Sequence, residues 1–241
     1  VVGMPTETVY GLAADATNRD AVAKVFAAKG RPMDNPLIVH ISSMEELEQV
    51  VSRVPELVTS LADAFWPGPL TMIMPKSERI PMETSGGLDT VGVRMPSHPV
   101  AQALIRTAGV PIAAPSANRS GYPSPTTAQH VLADMQGRIP AILDGGACSC
   151  GLESTVVTFD DDRTVRILRP GFVTKEMLLE HVPNVVIDPA IFRQVSASEK
   201  VASPGMKYKH YAPNAAVTLV EGSPELFRQF LALQQADGVY A

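Results

Sequence analysis

The hydrophobic positions of this 241-residue chain fall into two alternating rhythms. Short apolar runs at Val1–Met4, Leu37–Ile41, Leu70–Met74, Val91–Met95, Val110–Ala114, Ala141–Asp144, Thr155–Phe159 and Val165–Leu168 have the length of buried strands. Between them, apolar residues recur at helical spacing over about Asp20–Lys29, Pro55–Phe65, Pro99–Thr107 and Thr126–Met135. Gly30 and Pro32 stop the first of these helices, and Trp66-Pro67-Gly68-Pro69 closes the second. Ser43 with Glu46 three residues later predicts a capping box opening one more helix, while a glycine-containing loop follows the first strand. This is an α/β order. The strands after residue 141 come too close together for intervening helices, so the sheet is expected to be mixed, with an α+β-like half.

The ends read differently. Val1-Val2-Gly3-Met4 starts inside a strand pattern, from which an upstream segment is expected. Between Asp188 and Ala215, prolines, serines and Gly205 replace apolar periodicity, as in an interdomain linker. Beyond it, Val217–Val220 reads as a strand, and Ser223-Pro224-Glu225 opens a helix bearing Leu226, Phe227, Phe230 and Leu231. One strand and one helix cannot bury a core, so residues 215–241 are expected to begin a second domain after a first over 1–183 and a linker over 184–214.

Composition narrows the function classes. At 45% hydrophobic and 19% charged residues, the chain can bury a large core. Its 20 Lys and Arg against 25 Asp and Glu leave a net charge of −5, which disfavours binding nucleic acid by charge alone. Cys148 and Cys150 make neither a disulfide framework nor a structural zinc site, and a reducing cytoplasm is the expected setting. No apolar run reaches the roughly 18 residues of a membrane span.

Candidate chemistry gathers in loops. Lys29-Gly30-Arg31-Pro32-Met33-Asp34-Asn35-Pro36 sets two cations and an amide in a stiff turn, either a solvated helix end or a phosphate clamp. No G-x-x-x-x-G-K-[ST] run exists, which excludes a P-loop. The stretch from Ala114 to Thr126 leaves a strand end crowded with hydroxyls and an amide, and Gly151–Thr155 repeats that arrangement. His40 within Leu37–Ile41 reads first as a core histidine. Arg94, breaking an apolar strand, needs a carboxylate or phosphate partner from the protein or from a ligand.

Taken together, Pro5-Thr6-Glu7-Thr8-Val9-Tyr10-Gly11-Leu12, Lys29-Gly30-Arg31-Pro32 with Asn35-Pro36-Leu37-Ile38-Val39-His40, Trp66-Pro67-Gly68-Pro69-Leu70-Thr71, Ala114-Pro115-Ser116-Ala117-Asn118 with Ser120-Gly121, and Ser154-Thr155-Val156 strongly resemble the YrdC-like family. The resemblance runs in order from Val2 to Gly171. Ser203–Pro213 resembles the linker of the long, two-domain branch, which reaches over the active site and leads into a small Rossmann-like domain. It implies a twisted open mixed sheet whose flanking helices and loops form a concave nucleotide and threonine site.

The family makes threonylcarbamoyl-adenylate and pyrophosphate from L-threonine, bicarbonate or CO₂, and ATP with Mg²⁺, for threonylcarbamoyladenosine in tRNA. Its product passes to a threonylcarbamoyl transferase machinery, and the family implies no structural metal and no membrane partner. By resemblance, Lys29 and Arg31 are catalytic; Lys29, Arg31, Asn35, Thr90, Ser116, Asn118, Ser124 and Arg169 contact ATP, with Tyr208 or Tyr211 of the linker as a lid. Thr8, His40, Arg94, the Ala114 backbone and Ser154 resemble the L-threonine pocket, where Arg94 pairs with the amino-acid carboxylate. Thr158 departs from the family, which often carries an acid there. The alternative is a double-stranded RNA or tRNA-binding module without catalysis.

Overall fold

The computed structural model describes residues 1–30, 35–192 and 221–234. The chain divides into two units, Val1–Tyr211 and Ala212–Ala241. In chain order the first unit contains β1 (Val2–Met4), β2 (Gly11–Asp15), α1 (Arg19–Lys29), β3 (Ile38–His40), α2 (Leu47–Val50), α3 (Leu57–Phe65), β4 (Leu70–Pro75) and α4 (Met82–Ser85). It continues with β5 (Thr90–Arg94), α5 (Pro99–Ala108), β6 (Ile112–Ala113), α6 (Ala128–Met135), β7 (Ala141–Ile142), β8 (Thr155–Phe159), β9 (Thr164–Arg169), α7 (Lys175–Leu179) and β10 (Asn184–Ile187). In the second unit the described residues form α8 (Pro224–Gln234), where the Ser223 hydroxyl accepts the Leu226 N–H at 3.3 Å.

The strands make one ten-stranded mixed sheet in the order β10-β9-β8-β4-β5-β3-β6-β2-β1-β7. Its centre alternates in direction: β4 is parallel to β8 and antiparallel to β5, and β5 is parallel to β3. Strand alternation then sorts the side chains. Leu70, Met72 and Met74 of β4, Val91 and Val93 of β5, Val39 of β3 and Val157 of β8 all enter the largest core cluster, together with Val58 and Leu61 of α3. The opposite face of the same strands therefore presents Thr71 and Ile73, Thr90, Gly92 and Arg94, Ile38 and His40, and Val156 and Thr158. That face carries the candidate site.

Two glycines hold neighbouring backbones close to this face. A Cβ on Gly68 would lie 2.4 Å from the Phe65 carbonyl oxygen, and one on Gly171 would lie 2.5 Å from the Glu153 oxygen and 2.6 Å from the Thr155 nitrogen. Only a residue without a side chain fits either place.

Among the described residues the expected helices and strands are present within a few residues of their expected limits, and the sheet is mixed. Four differences have physical causes. Gly11–Asp15, expected as loop, is β2, because its short apolar residues pair on both sides with β1 and β6. The Ser43–Glu46 capping box does not form: Ser43 makes no side-chain cap, and Glu46 instead takes the Ser42 N–H at 2.8 Å and its hydroxyl at 2.7 Å. Short helices α4 and α7 were hidden by their length, which holds no full period. Residues 184–187, expected to open the linker, are β10, paired in parallel with β9. The strand expected at Val217–Val220 and most of the linker lie outside the described residues. Among the described residues, no helix is long and apolar enough to cross a membrane.

Candidate active site

The site is built around a buried charge. Arg94 ends β5 on the open sheet face, 4% exposed. Its Nη2 donates to Glu7 Oε1 at 2.6 Å, Nη1 to Thr8 Oγ1 at 2.8 Å, and Nε to the Gly68 carbonyl at 3.2 Å. Glu7, itself 6% exposed, also accepts the Ser97 N–H at 3.1 Å, and its backbone carbonyl accepts the Cys150 N–H at 2.8 Å. Thr8 is held in turn by a 2.9 Å contact with the Thr6 hydroxyl, which donates to the Val9 carbonyl at 2.6 Å. Two segments, one carrying Glu7 and Thr8 and the other Gly68, thus grip one guanidinium through three of its N–H groups, and among the described residues two of its five N–H bonds are left for other acceptors.

His40 stands in register with Arg94 on the neighbouring strand. It is 2% exposed, and its Nδ1 has no hydrogen-bond partner among the described residues. The core-histidine reading holds for its burial. Burial foremost, with the charge of Arg94, drives its pKa from the ordinary 6.5 down to about 3. The imidazole is therefore neutral at physiological pH. Cys148 and Cys150 lie near Glu7, and burial followed by the Glu7 charge pushes Cys148 up to about 11 and raises Cys150 as well. Both thiols stay protonated near neutrality, where they are poor nucleophiles.

Lys29, at the end of α1, is buried. Its Nζ donates to the Ser116 carbonyl and, at 2.8 Å, to the Asn118 carbonyl, with Asn118 Oδ1 at 3.4 Å. Asn118 Nδ2 spans to the Arg119 and Tyr122 carbonyls, both at 2.8 Å, so the loop after β6 is cross-braced. Asn35 is fully buried with neither amide atom partnered among the described residues. Such a group is costly unless a ligand or water completes it. Arg169, from the end of β9, donates through Nε and Nη2 to the Ser154 carbonyl at 3.1 and 3.0 Å, and through Nη2 to its hydroxyl at 3.1 Å. Ser154 also shares a 2.7 Å hydrogen bond with Thr71.

The structure therefore brings together Thr8, Arg94 and His40 as one group, Lys29, Ser116 and Asn118 as a second, and Ser154 with Arg169 as a third. Ser124 binds Glu153 through its hydroxyl, tying the loop after β6 to the segment before β8. The Ala114 N–H is spent on the Ile38 carbonyl at 3.0 Å, so any ligand contact from that backbone falls to its carbonyl. Thr90 stands apart, lining a cavity of about 490 Å³ with Ile73, Thr158 and the Asp160–Asp162 turn. Arg31, Tyr208 and Tyr211 lie outside the described residues. Sequence reading missed Glu7 and Thr71, although both sit in the motifs that carry the resemblance. The signal available for Glu7 was the need of Arg94 for a counter-charge, which names a type of partner and not its position.

Two outcomes follow from this geometry. Replacing Glu7 by Leu leaves Arg94 buried without its counter-ion and should destabilise the protein by about 3–5 kcal/mol in urea unfolding, with Glu7→Leu/Arg94→Met recovering much of the loss. For His40, the folded pKa lies below the unfolded one, so the unfolded chain binds more protons between the two values. Its contribution to stability is complete above about pH 6.5 and is lost as the pH falls toward 3. Urea midpoints measured from pH 7.5 to 4.5 should fall more steeply for the wild type than for His40→Asn.

A family model described as "Telomere recombination", covering Sua5, YciO and YrdC, matches residues 1–171, and one described as "Threonylcarbamoyl-AMP synthase, C-terminal domain" matches residues 173–239. A threonylcarbamoyl-AMP synthase of Bacillus subtilis is 51% identical over 239 residues, 99% of this chain and 68% of its own length. One from Pyrococcus abyssi is 50% identical over 95% of this chain and 66% of its own. The chain thus spans about two thirds of these relatives. A crystal structure of Pyrococcus abyssi Sua5 complexed with L-threonine superposes with a TM-score of 0.91 at 48% identity, covering 98% of this chain and 70% of that one. The chain belongs to the Sua5–YciO–YrdC family, in its branch with a threonylcarbamoyl-AMP synthase C-terminal domain.

Proposed function

We propose that this chain is the catalytic portion of an L-threonylcarbamoyladenylate synthase, forming threonylcarbamoyl-AMP and pyrophosphate from L-threonine, bicarbonate or CO₂, and MgATP. The observation that carries this reading is Arg94, a buried guanidinium fixed on three sides and facing an open sheet surface beside a neutral imidazole. The names of the relatives and the threonine bound to the Pyrococcus abyssi protein support it.

In this reading the threonine carboxylate takes the remaining N–H bonds of Arg94, a charge-assisted contact in a site sheltered from water. Thr8, His40, Ser154 and the Ala114 carbonyl surround the rest of the amino acid. A neutral His40 neither repels the α-amine nor competes with Arg94 for the carboxylate. The amine, having lost a proton, adds to CO₂ to give a carbamate; a carbamate oxygen attacks the α-phosphorus, and the bond to the β,γ-pyrophosphate breaks. The nucleophile belongs to the substrate, so the protein's task is alignment and charge neutralisation. Lys29, Arg31, Asn35, Ser116, Asn118, Ser124 and Arg169 are assigned to the nucleotide, with Thr90 at its far end and Tyr208 or Tyr211 as a cover. Magnesium enters as part of the MgATP substrate. Residues 1–183 carry the chemistry and 215–241 open the C-terminal domain. The product, a reactive mixed anhydride, goes to a transferase acting on tRNA, which sets the enzyme in the cytoplasm.

Pyrophosphate release should require L-threonine, bicarbonate and MgATP together, each tested by omission. Arg94→Ala should lower kcat/KM for threonine by about ten- to a hundredfold, the worth of one charge-assisted contact. Release without threonine, or RNA retention with no turnover, would contradict the synthase reading.

A further inference from the structure

Thr71 is fully buried on the open face of β4, where its methyl and hydroxyl point to different neighbours. The methyl faces β5, since a Cβ on Gly92 would come within 3.1 Å of Thr71 Cγ2. The hydroxyl faces the segment before β8 and meets Ser154 Oγ at 2.7 Å, its only hydrogen-bond partner among the described residues. Ser154, 2% exposed, also receives Arg169 Nη2 at 3.1 Å. A guanidinium only donates, so that bond fills one lone pair of the serine oxygen.

Two proton arrangements remain for the pair. If Ser154 donated to Thr71, the threonine proton would be sealed in the sheet with no acceptor, a state that buried polar groups avoid. If Thr71 donates to Ser154, both serine lone pairs are filled, and the serine proton can only turn toward the face that a ligand covers. We propose that Thr71 is a positioning residue that makes Ser154 an obligatory donor to a carbamate oxygen formed on the bound amino acid. This rests on the synthase reading. A hydroxyl locked as a donor rejects an ammonium and accepts a carbamate, so its effect falls on turnover more than on threonine capture.

The test compares Thr71→Val, which keeps the methyl and the shape, with Thr71→Ser, which keeps the hydroxyl, each alone and combined with Ser154→Ala, in the full chain. Thr71→Val should reduce kcat about tenfold with a smaller change in threonine KM, and Thr71→Ser should stay within about threefold of wild type. Added to Ser154→Ala, Thr71→Val should cost less than about twofold more, because its partner is already gone. Wild-type kinetics in Thr71→Val, equal losses in Thr71→Val and Thr71→Ser, or an undiminished loss in the Ser154→Ala background would overturn the proposal while leaving the synthase reading intact. A wild-type chain showing neither threonine binding by calorimetry nor threonine-dependent pyrophosphate release would overturn both.

Discussion

A guanidinium removed from water must be neutralised and hydrogen-bonded, and the loops around Arg94 converge on that requirement. Glu7 supplies the charge, Thr8 a hydroxyl and Gly68 a carbonyl, from two segments far apart in sequence. The tight turn at Gly68 brings its carbonyl to β5, where its N–H also bonds the Met95 carbonyl at 2.7 Å. Breaking one of these contacts loosens the others, because Glu7 also anchors the Ser97 N–H and the Cys150 loop. The long-range pairing of β3 with β5 then sets His40 beside the same charge, and burial first, with that charge second, keeps the imidazole neutral.

A second constraint acts through hydroxyls. Ser154 is where Arg169 from the end of β9 and the sheet-floor Thr71 meet, and Gly171 allows the backbone after β9 to press against that segment. The chain entering β8 is further fixed by the Thr155 N–H on the Pro69 carbonyl at 3.0 Å and the Thr155 hydroxyl on the Val173 carbonyl at 2.7 Å.

Much of this was legible in the residues. The strand runs of β4, β5 and β8 and the helical periods of α1, α3, α5 and α6 are strong local signals, and they emerged where the sequence placed them. Strand β2 was not legible, since alanines and a glycine carry little β preference and pairing on both sides decided the matter. Nor was β10, whose place depends on β9. For the site, Arg94 announced itself as a charge within an apolar strand, but its partner could not be read locally, because Glu7 is 87 residues away. The same holds for Ser154 and Thr71, joined across 83 residues. Asn35 was assigned to ATP by resemblance alone; its amide is buried and has no partner among the described residues.

Calorimetric titration with L-threonine and with L-threonine amide, which keeps the amine, hydroxyl and methyl but lacks the carboxylate charge, separates recognition by Arg94 from simple pocket filling. Binding of threonine with the amide weaker by about tenfold or more, and no such preference in Arg94→Ala, is the expected result. Equal affinity for the two compounds in the wild type would contradict a site organised around a carboxylate receptor.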